Sequence, residues 1–269
     1  THGPLRWGAG GSFRLPSPLD SSSVMRNRDT KLVKDALAAS AAAAAVLAAL
    51  GPSTCSRARF SPSLVESCRS LRYEVPYELR HVADPFVDPL CDTLAEGHWA
   101  LFLVVIANVA CYLPALANSG RWSISRQSLS HERLLMYQLA HANLPHITGN
   151  MLTLLAVGSE VSGALGCNQL LLLALYLACG WAGGFAAALL SDARTVGASG
   201  SVSGVIVALS VLRPTSAVHI LGDVNASNPL LLLLGTLGAD LSRGGVSWQA
   251  HLGGGAAGCV LAWLLTLVG

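Results

Sequence analysis

Apolar and polar positions along this chain fall into long blocks rather than a short alternating period. From residue 98 onward, uncharged runs of membrane-spanning length recur between brief polar turns. Residues 99–117 (WALFLVVIANVACYLPALA) predict a first spanning helix, with Trp99 at its edge, where aromatic belts sit. Residues 145–162 predict a second and more polar one, carrying His146, Asn150 and Thr153. Residues 169–190 are uncharged throughout and form the clearest span, and further spans are expected at 199–213, 229–241 and 249–268. Ser191-Asp192, Arg213-Pro214 and Arg243-Gly244-Gly245 supply turns between them. A helix rises about 1.5 Å per residue, so roughly 20 residues cross a bilayer core of about 30 Å. The pattern predicts an all-α polytopic membrane protein with a six-helix core over residues 98–269.

Three segments precede that core. Residues 1–34 are rich in Ser, Gly, Pro and Arg, and carry no acid before Asp20, which fits either a targeting region or a disordered tail. Residues 35–51 enclose the alanine-rich run ALAASAAAAAVLAAL, a candidate extra transmembrane helix, although short for a bilayer. Residues 52–97 are polar, with Arg57, Arg59, Arg69, Arg72 and Arg80, and read as a connector.

Composition sharpens the membrane reading. Apolar residues make up 52% of the chain and charged residues 12%, against about 25% charged in a typical soluble domain. Mean hydropathy is +0.51. A net charge of +2 without a basic stripe gives no footprint for nucleic acid. The seven cysteines form no Cys-x-x-Cys pair and are irregularly spaced, so neither a zinc site nor a disulfide framework is expected, and they read as small packing residues. No internal repeat is visible, which argues against a transporter built from duplicated halves. No cofactor or metal is called for, and nothing bears on oligomeric state.

A charge at the centre of a spanning helix costs about 2.5–3.5 kcal/mol, and polar groups retained there need a reason. Ser199 lies in Gly197-Ala198-Ser199-Gly200 at the start of a span, where free backbone N–H groups and the positive end of the helix dipole would stabilise an oxyanion. It could equally be an N-cap serine or a small packing residue. His251 lies in Ala250-His251-Leu252-Gly253-Gly254, just inside the last span, with Gly254 and Gly258 on its own helical face. Gly254-xxx-Gly258, and Gly200-xxx-Gly204 on the Ser199 helix, are small-residue faces that allow close helix packing. Gly180-xxx-Gly184 offers a third such face. Two such helices can bring a hydroxyl to an imidazole, although a histidine bonded to a carbonyl for packing alone has the same pattern. His141, His146 and Asn150 form His-x4-His-x3-Asn, and the last two share a helix face. They could bind an oxyanion, or simply glue helices together. His131-Glu132 is followed by Leu135 where a zinc helix motif would need His.

These motifs, in this order, resemble the rhomboid family: a His-x4-His-x3-Asn second helix, a Gly-x-Ser-Gly fourth helix and an Ala-His-x-Gly-Gly-x3-Gly sixth helix. The resemblance covers residues 98–269. It implies a six-helix rhomboid core and an intramembrane serine endopeptidase acting on single-pass membrane proteins within the lipid bilayer. Ser199 would be its nucleophile, His251 its base, and His146 and Asn150 its oxyanion ligands. The Trp-Arg pair of many rhomboids is absent, with Glu132-Arg133 near that place, and Ser203 stands where many carry a Tyr beneath the histidine. The missing pair, the preceding polar region and Ala107-Asn108-Val109 are similar to the mitochondrial presenilin-associated branch, which implies the mitochondrial inner membrane, with a chloroplast membrane as the alternative. An inactive rhomboid-like protein that binds membrane clients and a small transporter are the other readings of the same residues.

Overall fold

The structure, a computed structural model, describes residues 61–74, 87–220, 224–226, 228–234 and 247–268. The expected targeting region 1–34, the candidate helix 35–51 and the expected fifth span beyond residue 234 lie outside the described residues. Two connector helices come first, α1 (Pro62–Glu74) and α2 (87–95). The membrane helices α3 (Trp99–Ala117), α6 (Leu144–Ala164), α7 (Gln169–Leu190), α8 (Ser199–Leu212) and α10 (Trp248–Val268) follow the expected spans closely. Between α3 and α6 the chain forms the short helices α4 (Ser119–Trp122) and α5 (His131–Met136) and a 3-10 turn, Tyr137–Leu139. Residues 229–234 begin α9. A small antiparallel hairpin, Val218–Ile220 with Val224–Ala226, lies ahead of it in register Val218↔Ala226.

Two of the membrane helices start on an asparagine cap. Asn143 caps α6 by accepting the His146 N–H at 2.9 Å, with Pro145 pre-set for the first turn. Asn168 accepts the Leu171 N–H at 3.1 Å to open α7. The tight turn Gly166-Cys167 between α6 and α7 uses positive φ at both residues.

The helices surround α8. It is packed by α6, α7 and α10, and nearly every residue from Gly200 to Leu209 is buried. By contrast α3 exposes Leu103, Ile106, Val109 and Leu113, and α10 exposes Leu252, Val260 and Trp263. Large apolar side chains facing outward on several helices are what lipid contact requires, and they agree with a polytopic membrane protein.

Contacts at the helix ends fix the bundle's polarity. At one end His98, just before α3, places Nδ1 3.0 Å from Ser162 Oγ at the close of α6. Gln169, the first residue of α7, donates to Ser162 Oγ at 2.6 Å and accepts the Ala100 N–H at 3.4 Å. Glu96 lies 3.2 Å from His98 Nε2. At the other end the last turns of α7 meet the starts of α8 and α10: a Cβ on Gly183 would lie 2.7 Å from the Ala250 carbonyl and 3.2 Å from Gly200 Cα.

The cysteine expectation needs correction. Cys68 of α1 and Cys91 of α2 form a disulfide, packed with Val87, Leu94 and Phe102. Their separation of 23 residues matches no short motif, so spacing alone carried no signal. The small-residue expectation is also refined. Gly254 and Gly258 each lie against a backbone carbonyl of α8, that of Gly200 and that of Gly204. Gly180 and Gly184 instead receive Gln138 and Tyr137 of the loop segment.

A methyl at position 258 would meet rigid backbone on α8 rather than a side chain that can turn away. Gly258→Ala should therefore lower stability by about 1–3 kcal/mol in detergent unfolding. Gly149→Ala, where nothing lies within 4 Å, should be neutral or stabilising by up to about 1 kcal/mol.

Candidate functional site

The candidate residues gather at the end of the bundle where α8 and α10 begin. Ser199 is the first residue of α8, and its N-cap is Ala198, so the serine side chain is not the cap. It is half-buried, and the N-terminal turn it opens leaves backbone N–H groups directed beyond the helix. Ahead of it the chain is pinned twice to the loop between α3 and α6. The Gly197 N–H donates to the Tyr137 carbonyl at 2.8 Å, and the Ala198 N–H to His141 Nε2 at 3.4 Å.

Gly197 has φ +127°, a conformation that side chains disfavour. The space beside it is also taken. A Cβ there would lie 2.6 Å from His146 Cε1, 2.9 Å from His146 Nε2 and 3.7 Å from Ser199 Oγ. The His146 ring and the Ser199 hydroxyl thus converge on one point, which only a glycine leaves open.

Asn150, one turn into α6 from His146, is buried, and its Nδ2 finds no hydrogen-bond acceptor among the described residues. A buried amide donor without a protein partner carries a desolvation penalty of about 1–3 kcal/mol. His251 is buried on α10. Its neighbour Ala250 and Ser199's neighbour Gly200 touch, with a Cβ on Gly200 only 3.2 Å from the Ala250 carbonyl. The structure therefore brings Ser199 beside His146, and the Ser199 turn beside the His251 turn. Ser203 is buried one turn deeper on α8.

The supporting residues were not foreseen. Tyr137 is fully buried and donates from its hydroxyl to the Gly180 carbonyl. Gln138, also buried, accepts from Ser201 Oγ at 2.9 Å and donates to the Leu134 carbonyl at 2.7 Å. Together they tie the loop segment to α7 and to the first turn of α8. Their sequence signal was slight: two polar residues in an otherwise buried stretch, with no spacing motif. Burial pushes the Tyr137 hydroxyl far above its usual range, so it serves as a neutral donor. Burial, then the neighbouring His146 ring 5.0 Å away, lowers His141 to about 3, which keeps its imidazole neutral and able to accept from Ala198. Among the described residues no cluster of His, Cys, Asp or Glu could hold a metal ion.

The Rhomboid domain family matches residues 129–267, about half of the chain and all of the elements just described from α5 onward. The chain is also similar to "Rhomboid protease GluP" of Bacillus subtilis (strain 168), at 29% identity over 135 residues. That match covers 50% of this chain and 26% of the relative, so the chain spans about a quarter of that protein's length.

The lowered pKa of His141 has a consequence for acid stability. The unfolded chain takes up this proton near its ordinary value of about 6.5, and the folded protein only near about 3. The stability held by the neutral ring is complete above about 6.5 and is lost as pH falls toward about 3. Melting curves in detergent from pH 7 to 4 should drop more steeply for the wild type than for His141→Asn.

Proposed function

This chain belongs to the rhomboid family, and on that premise we propose that it is an intramembrane serine endopeptidase working through Ser199 and His251. The observation that carries the reading is the meeting of the α8 and α10 starts through Gly200, Ala250 and Gly254, which holds a serine turn and a histidine turn side by side. His251 takes the proton of the Ser199 hydroxyl as its oxygen attacks a peptide carbonyl carbon. The negative charge that develops on the carbonyl oxygen is met by the Ser199 N–H, His146 and Asn150, with the α8 dipole beneath. The C–N bond breaks as His251 returns the proton to the leaving amine, and water then hydrolyses the acyl-enzyme by the same route. Asn150 Nδ2, without a partner among the described residues, supports the oxyanion role. The His146 ring beside Ser199 supports it from the other side.

The substrates we propose are single-pass membrane proteins. A spanning helix hides its carbonyls in internal hydrogen bonds, so it must unwind before attack. α8 has 14 residues, a length of about 21 Å, which sinks at least one of its ends below the surface of a core about 30 Å thick. The small residues Gly197, Ala198 and Gly200 around Ser199 leave room for little at the cut. Clients with small residues there and a nearby Gly or Pro are favoured.

The location we propose is the mitochondrial inner membrane, in the presenilin-associated branch. Support comes from the basic, acid-poor residues 1–34, the missing Trp-Arg pair and Ala107-Asn108-Val109. A reporter fused behind residues 1–51 should enter mitochondria, and import into chloroplasts would overturn this location.

Labelling purified protein with a fluorophosphonate should modify Ser199. Ser199→Ala and His251→Ala should each abolish cleavage of a membrane client, whereas Ser203→Ala should keep at least partial activity. An active Ser199→Ala protein beside a dead Ser203→Ala protein would reverse the assignment. Flux through liposomes that survives Ser199→Ala would favour a transporter instead. His146→Ala and Asn150→Ala should lower kcat by about 10²–10³ with little change in KM. A raised KM at intact kcat would place either residue in binding or packing.

A further inference from the structure

We propose that Gln138 is a positioning residue for Ser199: its bond to the Ser201 hydroxyl fixes the rotation of the first turn of α8, and with it the direction in which Ser199 points. The inference deepens the proposed function and rests on it in one respect, namely that Ser199 is the attacking group.

α8 begins without the kind of cap that opens α6 and α7. Those two helices start on Asn143 and Asn168, whereas the N-cap of α8 is Ala198, which makes no side-chain cap bond. Alanine is among the poorest N-cap residues, and the first four N–H groups of any helix lack an intrahelical acceptor. The restraints on the turn that carries Ser199 therefore come from outside the helix. Two lie ahead of the serine, where the Gly197 and Ala198 N–H groups donate to the Tyr137 carbonyl and to His141 Nε2. Beyond the serine the turn is held by Ser201 Oγ, which donates to Gln138 Oε1 at 2.9 Å. Ser199 is thus pinned on both sides by one loop segment.

The bond is directional by construction. Gln138 and Ser201 are 1% and 0% exposed, so bulk water does not compete for either. Gln138 donates from Nε2 to the Leu134 carbonyl at 2.7 Å, and a carbonyl can only accept, which leaves Oε1 facing Ser201. Gly180 of α7 makes the room, since a Cβ there would overlap both Gln138 Oε1 and Ser201 Oγ. The Gly180 carbonyl in turn accepts from the Tyr137 hydroxyl, so the residue before Gln138 is anchored at the same point of α7.

An apolar pair of the same shape would hold the loop against α8 about as firmly, because replacing both partners of a buried hydrogen bond together is nearly neutral. What the polar pair adds is angle. Gly200 packs against the Ala250 carbonyl and Gly183, which limits how near α8 comes to α10 and α7. Such side-chain-free contact sets distance and resists rotation about the helix axis only weakly. A hydrogen bond from Ser201 resists it directly. Two residues along a helix lie about 200° apart around its axis, so a grip on Ser201 sets the angle of Ser199 on the other side. A misplacement of about 1 Å at a reacting group can cost about 10²-fold in rate.

The test uses the full chain in detergent with a membrane client, and compares Gln138→Met, Ser201→Ala and the double variant. Each should lower kcat by about 10- to 100-fold and leave KM within about twofold. The double variant should be no slower than the slower single one, because all three lose the same bond. It should also melt closer to the wild type than Gln138→Met does, since it leaves neither partner of the bond behind. Ser162→Ala removes the Gln169 and His98 contacts at the opposite end of the bundle, and should melt lower with kcat unchanged. A double variant with wild-type kcat, single effects that multiply, or an equal loss of kcat in Ser162→Ala would overturn the proposal. Ser201→Ala removes a single oxygen, so it decides the matter even if Gln138→Met does not fold. Amide hydrogen exchange over residues 197–202 needs no client: each single variant should speed it by about tenfold and leave residues 255–265 unchanged. Faster exchange in the variants of a wild type that cleaves no client sinks the protease reading alone. Cleavage by the wild type, with exchange and kcat unchanged in the variants, sinks the positioning alone.

Discussion

The contact between α8 and α10 is one of backbone on backbone. Gly254 and Gly258 sit against the carbonyls of Gly200 and Gly204, and Gly204 in turn faces the Gly254 carbonyl. In lipid there is little hydrophobic gain from joining two apolar helices, so close packing and polar contacts must hold them. Removing side chains from both surfaces brings the helix axes together and lengthens the zone of dispersion contact. It also sets how far apart any two groups at the helix starts can be. The arrangement of Ser199, Ala250 and His251 follows from that spacing, and the loop carrying Tyr137, Gln138 and His141 is then fitted onto it.

That loop is the second element of the design. It is not a spanning helix, yet Tyr137, Gln138 and His141 are buried, and each bonds to α7 or to the start of α8. Buried backbone outside regular helices persists only where its polar groups find partners. Here the Tyr137 carbonyl accepts from Gly197, and Arg133 satisfies the carbonyls of Gly120 and Ser123. The loop thereby holds the residues ahead of Ser199 in place, in a conformation with positive φ at Gly197. The far end of the bundle is tied by the separate network of His98, Ser162 and Gln169, so the two ends are braced independently.

The membrane helices were legible because apolar length is a strong signal: α3, α7 and α10 match the expected spans within a few residues. The glycine faces of α8 and α10 were legible from spacing, since residues four apart on a helix share a side. Gly180 and Gly184 had the same spacing and the structure uses them differently, as sockets for Tyr137 and Gln138. A small residue announces a close approach but not what approaches. Contacts between distant, aperiodic segments were not legible at all. Cys68 with Cys91, and Gln138 with Ser201, depend on how the chain folds back, and no local pattern encodes it.

The glycine seam also sets a clock. A membrane protein is made from its N-terminus, and His251 follows Ser199 by 52 positions. At about 5–20 residues per second, the ribosome needs roughly 3–10 s between the two. During that interval α8 is already in the membrane with its Gly200 and Gly204 carbonyls uncovered, and the helix that covers them does not yet exist. A chain caught at that stage holds a serine but not the histidine proposed to activate it. The proposed protease is therefore inert toward its neighbours in the insertion machinery, and it arms itself only when α10 docks.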